Sequence, residues 1–150
     1  MSTNFHFSAI FLLIFIHVNA FAQDNVNAQM LEYKTGIPTE WPERLDVVEA
    51  APKNHRILIE NDRVRVLEVT LLPGEIEMLY HYRWPSVLYI QEAGDFIDFD
   101  GDGKVIFDTR TLPEPLQYPL SMWKELEARH AVENLSLTQT MRLIRLEIKE

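Results

Sequence analysis

The sequence predicts an all-β domain, built as a small antiparallel barrel or sandwich and preceded by an irregular arm. Two observations support this prediction. Short β-branched and apolar segments recur about every 8–12 residues, and turn-forming residues separate them. Beyond residue 22, no segment carries a long helical pattern of apolar residues. At 150 residues the chain is expected to form one domain. A domain of that size can bury roughly two thirds of its unfolded surface without disulfides or a structural metal.

Eight segments have the composition of β-strands. They are rich in valine, isoleucine, leucine and aromatic residues, and several alternate apolar with polar positions. The predicted strands cover residues 56–60, 64–72, 75–82, 87–91, 96–99, 105–107, 122–126 and 137–148. Pro73-Gly74 ends the second strand, and Asp102-Gly103 forms a hairpin turn before the sixth.

An irregular arm over residues 23–50 precedes the barrel, which is predicted to cover residues 51–150. Prolines punctuate the arm. Residues 43–51 fit a short helix, because their apolar side chains fall on one side.

The first 22 residues predict a signal peptide. Residues 7–16 are apolar except for Ser8, and this run is too short to span a bilayer comfortably. Ala20-Phe21-Ala22 has the form of a cleavage site, so the mature chain is expected to begin at Gln23. We therefore expect an exported protein, either periplasmic or secreted. No Lys or Arg precedes the apolar run, so an uncleaved anchor and a buried helix stay open as alternatives.

Charge and cysteine content exclude several classes of function. The net charge of −9 argues against nucleic acid or an anionic membrane as a partner. The chain contains no cysteine. Thiol catalysis, iron–sulfur clusters and thiolate zinc sites are therefore excluded.

The segment from Pro73 to Tyr82 contains the residues of greatest chemical interest. Side chains of a strand alternate between its two faces. The apolar and aromatic set, predicted to face the barrel interior, comprises Ile76, Met78, Tyr80 and Tyr82. The mostly charged set, predicted to face outward, comprises Glu75, Glu77, Leu79, His81 and Arg83. A one-residue bulge would reverse this assignment.

Four stretches carry a family resemblance: residues 51–55 (APKNH), 60–69 (ENDRVRVLEV), 83–89 (RWPSVLY) and 130–134 (HAVEN). Through them the chain resembles the small single-domain cupins from about residue 51 to residue 148. The resemblance implies a cupin-type jelly-roll β-barrel. It also implies the option of a homodimer, because members of that family often dimerise.

In the cupin family a glycine is followed, after five residues, by His-x-His and often by a Glu, and a second motif ends in His-x-x-x-Asn. These three histidines, with the Glu where present, bind a divalent metal. Here the glycine is Gly74, and the paired histidine positions fall on Tyr80 and Tyr82. His130 and Asn134 match the second motif, and no Glu stands at the expected distance after Tyr82. The resemblance therefore implies a degenerate metal site.

Three interpretations of Tyr80, Tyr82 and His130 stay open. They line a metal-independent polar pocket for a small organic ligand, as concave sites combine apolar walls with a few hydroxyls and ring nitrogens. Alternatively they form a rebuilt site for iron or a divalent metal. In that case the metal must displace the proton of a tyrosine hydroxyl, whose ordinary pKa is near 10. Finally, they are core residues that have found hydrogen-bond partners.

Other candidates carry weaker signals. Residues 98–103 (DFDGDG) match the first half of a calcium-binding loop, but Thr109 stands where a bidentate Glu is needed. We interpret them as a hairpin turn between strands. Glu68 is expected either as a buried acid on the face of Val64 and Val66 or as an edge residue facing water. His55 and His17 carry no usable signal.

The leading functional hypothesis is metal-independent binding of a small organic molecule, with no cofactor. The expected ligand-binding residues are Tyr80, Tyr82, His130, Trp84 at the barrel mouth, and Asn134. One alternative is an enzyme of the oxygenase or isomerase type with His130 as its candidate catalytic residue, with or without a rebuilt metal site. Another is a non-catalytic structural domain, which predicts a filled barrel with room for no more than a water or two.

Overall fold

The computed structural model describes residues 37–149 and confirms the all-β architecture. The predicted signal peptide and the first part of the arm lie outside the described residues. Nine strands form in that range: β1 (His55–Glu60), β2 (Val64–Leu71), β3 (Tyr80–Tyr82), β4 (Ser86–Glu92), β5 (Phe96–Asp100), β6 (Val105–Asp108), β7 (Leu120–Lys124), β8 (Glu127–Asn134) and β9 (Met141–Ile148). Strand β8 is the one that the sequence-based prediction lacked. Its buried and exposed residues do not alternate regularly, so it has no period-two pattern to detect.

Two antiparallel sheets pack face to face. One has five strands in the order β1-β2-β9-β4-β7, and the other has four in the order β3-β8-β5-β6. Neighbours in the sheets are far apart in sequence, as in the pairing of β2 with β9, which is the connectivity of a jelly roll. The predicted jelly-roll barrel is therefore correct.

The apolar core lies between the sheets. Strands β2 and β9 show the period-two burial expected when one face of a sheet covers a core. Leu67, Val69 and Leu71 point inward from β2, as do Met141 and Leu143 from β9. The same inward rows end in charged residues at one end of the barrel, where Arg65 and Glu147 are also buried.

The arm packs on the barrel through short helical turns. These are 3₁₀ turns at Pro38–Glu40 and Glu43–Leu45 and one turn of α-helix, α1, at Val47–Ala50. The Asp46 side chain caps α1 by accepting a hydrogen bond from the Val48 amide at 3.3 Å. Within residues 37–149, no helix has the length and apolar content needed to cross a membrane.

Strand β8 contains an extra residue. Tyr80 pairs with His130 and Tyr82 pairs with Glu127, so two steps along β3 oppose three along β8. This is the count of a β-bulge, which re-aims the side chains beside it. Glu127 and His130, an odd number of residues apart, consequently both lie on the buried side.

The predicted alternation through residues 75–82 is only half correct. Tyr80 and Tyr82 are buried, as predicted. Ile76 and Met78, predicted to face inward, are 58% and 69% exposed, whereas Glu77, predicted to face outward, is 5% exposed. The physical reason is that β3 begins only at Tyr80, and the irregular backbone before it breaks the strand alternation.

Two further expectations are settled by the strand faces. The Glu68 side chain is 37% exposed and pairs with Arg56 at 2.7 Å, so it faces water and is not the buried acid. It does not lie at a sheet edge, because β2 is paired with both β1 and β9. Residues 98–103 form the hairpin between β5 and β6, in which Asp100 Oδ1 accepts from the backbone amides of Asp102 and Lys104 at 2.9 and 2.8 Å.

Candidate functional site

A cavity of ≈ 50 Å³ lies between the two sheets. Its walls combine aliphatic side chains with an unusual number of polar ones. The polar lining residues are Glu77, Tyr80, Tyr82, Asp98, Lys124, Glu127, His130 and Arg145. The volume has room for roughly three to five waters, or a solute of that size.

Three of the predicted site residues meet in this cavity. The ring centroids of Tyr80 and His130 lie 4.7 Å apart, those of Tyr80 and Tyr82 lie 5.2 Å apart, and those of Tyr82 and His130 lie 5.6 Å apart. All three side chains are buried. They reach the cavity from β3 and β8, which are neighbours in the four-stranded sheet.

The Tyr80 hydroxyl donates a hydrogen bond to Glu77 Oε2. Burial raises the pKa of Glu77 to about 8, although the bond from Tyr80 opposes the increase. Burial also raises the pKa of Tyr80 well above 10, and the neighbouring Glu77 adds to the effect. The pair therefore holds two protons at neutral pH, one on the phenol and one largely on the carboxyl group.

The Tyr82 hydroxyl bonds to a histidine that the sequence analysis had set aside. His55 Nε2 lies 2.7 Å from the Tyr82 oxygen, and His55 Nδ1 lies 3.1 Å from the Ala51 carbonyl oxygen. Because a carbonyl only accepts, the ring proton is on Nδ1 and Nε2 is the acceptor. Burial lowers the pKa of His55 to about 3, so the ring is neutral.

His130 holds its second nitrogen toward the cavity. Its Nδ1 donates to the Ala128 carbonyl at 2.8 Å, which leaves Nε2 without a proton in the neutral ring. Asp98 lies on the neighbouring strand β5, and its Oδ1 lacks any hydrogen-bond partner within residues 37–149. Burial raises the pKa of Asp98 to about 6, while His130 and Lys124 oppose the increase.

A buried ion cluster closes one side of the cavity. Glu127 accepts from Lys124 through Oε1 and from Arg145 Nη1 through Oε2, the latter at 2.6 Å. Burial alone would raise the pKa of Glu127, but the two cations hold it well below its usual range. Arg145 also stacks on Tyr82, with Cζ 3.2 Å from the ring centroid.

Trp84 and Asn134 lie outside the cavity. Trp84 is packed between two cations, with Arg65 Cζ 4.8 Å and Lys149 Nζ 5.0 Å from the ring centroid. The amide nitrogen of Asn134 lies within 2.9–3.1 Å of the carbonyl oxygens of Leu71, Leu72 and Gln139. These partners explain both positions without a ligand.

The jelly-roll topology matches solved structures. A cupin domain from Bordetella pertussis Tohama I is 22% identical, with a TM-score of 0.53, and the match covers 64% of this chain and 92% of that one. The chain has the cupin fold. No protein-family model and no curated protein matches the sequence.

Two further solved structures align with lower TM-scores. An RmlC-like cupin family protein from Methanocaldococcus jannaschii is 10% identical, with a TM-score of 0.47, over 63% of this chain and 78% of that one. The polyketide cyclase RemF from Streptomyces resistomycificus is 18% identical, with a TM-score of 0.46, over 78% of this chain and 80% of that one.

The residues at the cupin metal positions do not fit a metal ion. Tyr80 and Tyr82 already donate their hydroxyl protons to Glu77 and His55. Burial raises the pKa of both phenols well above 10, and a neutral phenol is a poor ligand. The tyrosine-based metal site that the sequence analysis left open is therefore disfavoured by the hydrogen bonds of the site itself.

A second set of candidate ligands lies beside them. Ligand atoms of Asp98, Glu127 and His130 lie within 4.8 Å of one another. However, both oxygens of Glu127 are engaged by Lys124 and Arg145. A divalent cation would have to displace these two buried cations or tolerate their repulsion. The cluster is consequently better suited to hydrogen bonding than to metal coordination.

Five residues of this cavity escaped the sequence analysis as site candidates: Glu77, Asp98, Lys124, Glu127 and Arg145. The available signal was the position of charged residues inside apolar strands, as in Leu143-Ile144-Arg145-Leu146. Charged residues are almost never fully buried unless they are paired. Such a pattern marks a candidate without revealing its partners.

Proposed function

We propose that this cupin-fold chain binds a small polar organic molecule inside its barrel, without a metal ion held by Tyr80, Tyr82 and His130. The observation that carries the proposal is the cavity itself, which brings these three side chains together beside buried polar atoms that have no hydrogen-bond partner in the described part of the chain. Buried polar groups are normally hydrogen-bonded, and those that are not call for a water, ion or ligand.

The size of the cavity favours binding over a purely structural role. A structural domain predicts space for no more than a water or two, whereas ≈ 50 Å³ accommodates more. The same size limits the ligand to a molecule of few atoms in this conformation. Donors and acceptors lie on opposite walls, with Arg145 on β9 and Asp98 on β5, so the ligand is expected to carry both kinds of group.

Metal analysis of protein purified without an affinity tag tests the metal-independent part. We expect substoichiometric iron, manganese, zinc and nickel, and no thermal stabilisation when these ions are added. Stoichiometric metal that is lost in His130→Ala and kept in His81→Ala would contradict the proposal. His81 is the matched control because it is also buried but contacts Trp41 and Pro42 instead of the cavity.

Ligand screening tests the binding part. Small polar compounds are added to isotope-labelled protein, and binding is followed by NMR shifts of residues on β3, β5 and β8. We expect shifts confined to the cavity. Shifts that instead cluster around Trp84 would show that the ligand binds outside the barrel cavity, which would contradict the proposal.

Acid–base catalysis is the second candidate function. The observation that favours it is the pairing of a protonated carboxyl group, Glu77, with a ring nitrogen free to accept a proton, His130 Nε2, in one cavity. Ligands found in the screen are incubated with the protein and analysed for products by NMR. If it is an enzyme, His130→Ala abolishes turnover at a nearly unchanged melting temperature. A large loss of stability instead marks His130 as structural.

Export is the remaining part of the proposal. It rests on the apolar run at residues 7–16 and the cleavage pattern at residues 20–22. Expression of the full chain in a bacterial host, followed by fractionation and N-terminal sequencing, checks it. A mature terminus at Gln23 is expected, and an intact terminus in the cytoplasm would contradict export.

A further inference from the structure

Arg145 is a buried guanidinium with one edge unused. It is 2% exposed, and only its Nη1 forms a hydrogen bond, to Glu127. Nε and Nη2 have no hydrogen-bond partner within the described range 37–149. Leaving a buried donor unpaired is costly, and more so when the donor is charged. The two nitrogens are therefore expected to meet an acceptor in solution.

The geometry of that edge selects the acceptor. In a planar guanidinium, the N–H bonds of Nε and Nη2 run parallel and match the two oxygens of a carboxylate. Stacking on the Tyr82 ring fixes the plane of the Arg145 group. The salt bridge to Glu127 fixes its rotation. The unused edge is thus pre-organised.

The opposite wall supplies complementary groups. Asp98 Oδ1 and Glu77 Oε1 line the same cavity and also lack partners inside the described part of the chain. Burial raises the pKa of both carboxyl groups. In its protonated form, each can donate a hydrogen bond to an oxygen of a bound anion.

The charge of the cavity favours a single added negative charge. Lys124 and Arg145 contribute two positive charges, and Glu127 neutralises one of them. Below about pH 6, where burial keeps the Glu77 and Asp98 carboxyl groups protonated, Lys124, Arg145 and Glu127 together keep one positive charge. We propose that the cavity binds a small carboxylate of roughly three to five non-hydrogen atoms, the number of waters that it can hold. Its two oxygens accept from Nε and Nη2 of Arg145.

This inference rests on the proposed function, and an internal alternative competes with it. Glu147 lies two residues along β9 and is fully buried, and neither of its oxygens has a hydrogen-bond partner among residues 37–149. Its closest cation, Arg65 Nη1, is 3.5 Å away. A water bridging Arg145 to Glu147 would satisfy both groups without any ligand. Glu147 does not line the cavity, so the two explanations can be separated.

Titration of the full chain with sodium acetate, below pH 6 and against sodium chloride of equal ionic strength, tests the inference. Acetamide serves as the neutral molecule of equal size. We expect one saturable acetate site per chain. Arg145→Lys keeps the charge but loses the parallel donors, so it should weaken acetate binding about tenfold or more. Arg142→Lys, on the same strand but exposed, should leave binding unchanged.

Each outcome has a definite reading. Equal acetate affinity in Arg145→Lys and the wild type overturns the inference. Binding of acetamide but not of acetate overturns the inference and leaves the proposed function intact. If the chain binds neither compound and no compound of the wider screen, both the inference and the proposed function are contradicted. Should Arg145→Lys fail to fold, the Nε–Hε signal of Arg145 in the wild-type protein decides. It should shift on addition of acetate. If acetate leaves the signal unchanged and only the Glu147→Gln substitution shifts it, the internal water bridge is present and the inference is overturned.

Discussion

The Tyr82 hydroxyl donates a hydrogen bond to Nε2 of His55 across 2.7 Å of the barrel interior. The ring is held in this tautomer by the Ala51 carbonyl, which accepts from Nδ1. Tyr82 of β3 is thereby hydrogen-bonded to a histidine of β1 in the opposite sheet. A neutral hydrogen bond therefore joins the two sheets at this point.

Tyr82→Phe should lower the free energy of unfolding by about 1–3 kcal/mol, because His55 Nε2 is left buried without a partner. Urea denaturation at neutral pH measures the change. Tyr89→Phe is the control, since Tyr89 is 44% exposed and an exposed hydroxyl is expected to contribute within about ±0.5 kcal/mol. Equal effects of the two substitutions would show that the buried bond contributes nothing specific.

Stability should fall as the pH rises from 7 to 8. Burial raises the pKa of Glu77 to about 8 from an ordinary value of 4.5. The folded state therefore binds one more proton than the unfolded state between these values, and this contribution is present at low pH and lost as the pH rises through 8. The slope for one proton approaches about 1.4 kcal/mol per pH unit.

Two other buried carboxyl groups titrate at or below the lower edge of that window. The pKa values of Asp98 and Glu147 are raised by burial to about 6 and 7, and that of His55 is lowered to about 3. His55 acts in the opposite direction, because its contribution to stability is lost as the pH falls below 6.5. Denaturation at a series of pH values should show a slope between pH 7 and 8 that Glu77→Gln reduces to the smaller contribution of Glu147. Glu49→Gln, at an exposed carboxyl group, should retain the slope.

The buried ion cluster should depend strongly on its carboxylate. Glu127→Gln leaves Lys124 and Arg145 buried without a counter-charge, which should cost about 3–5 kcal/mol of unfolding free energy. Glu92→Gln breaks a matched pair at the surface, where Glu92 and Arg142 are 46% and 53% exposed and 3.0 Å apart. That change should cost about 0–1 kcal/mol. A loss below 1 kcal/mol in Glu127→Gln would mean that water reaches the cluster.

The sequence predicted the fold far better than the site, and particular residues show why. Strands such as β2 and β9 follow a period of two, so their positions and inward faces follow from local pattern alone. Tyr80 and Tyr82 could be placed in the interior because side chains of a strand alternate between its faces and their face is apolar and aromatic. Glu77 was misplaced because the backbone before β3 departs from a strand, and no local pattern announces that departure.

The partners within the site could not be predicted, because they come from distant parts of the chain. His55 and Tyr82 are separated by 27 positions, and Glu127 and Arg145 by 18. Glu127 and His130 share the interior only because of the bulge in β8. A single sequence does not reveal these pairings, since each depends on register between strands.

Asn134 is expected to act in folding and not in ligand binding. Its amide group donates to the carbonyl oxygens of Leu71 and Leu72, at the end of β2, and of Gln139, in the turn between β8 and β9. Asn134→Asp keeps the shape but replaces the donor with an acceptor, so buried carbonyls face a carboxylate. We expect the free energy of unfolding to fall by about 2–3 kcal/mol or more, while the ligand affinity of the folded fraction is unchanged. Thr138→Ala, an exposed substitution in the same turn, is the control for denaturation and titration. A loss of affinity in Asn134→Asp without a loss of stability would return this residue to the binding site.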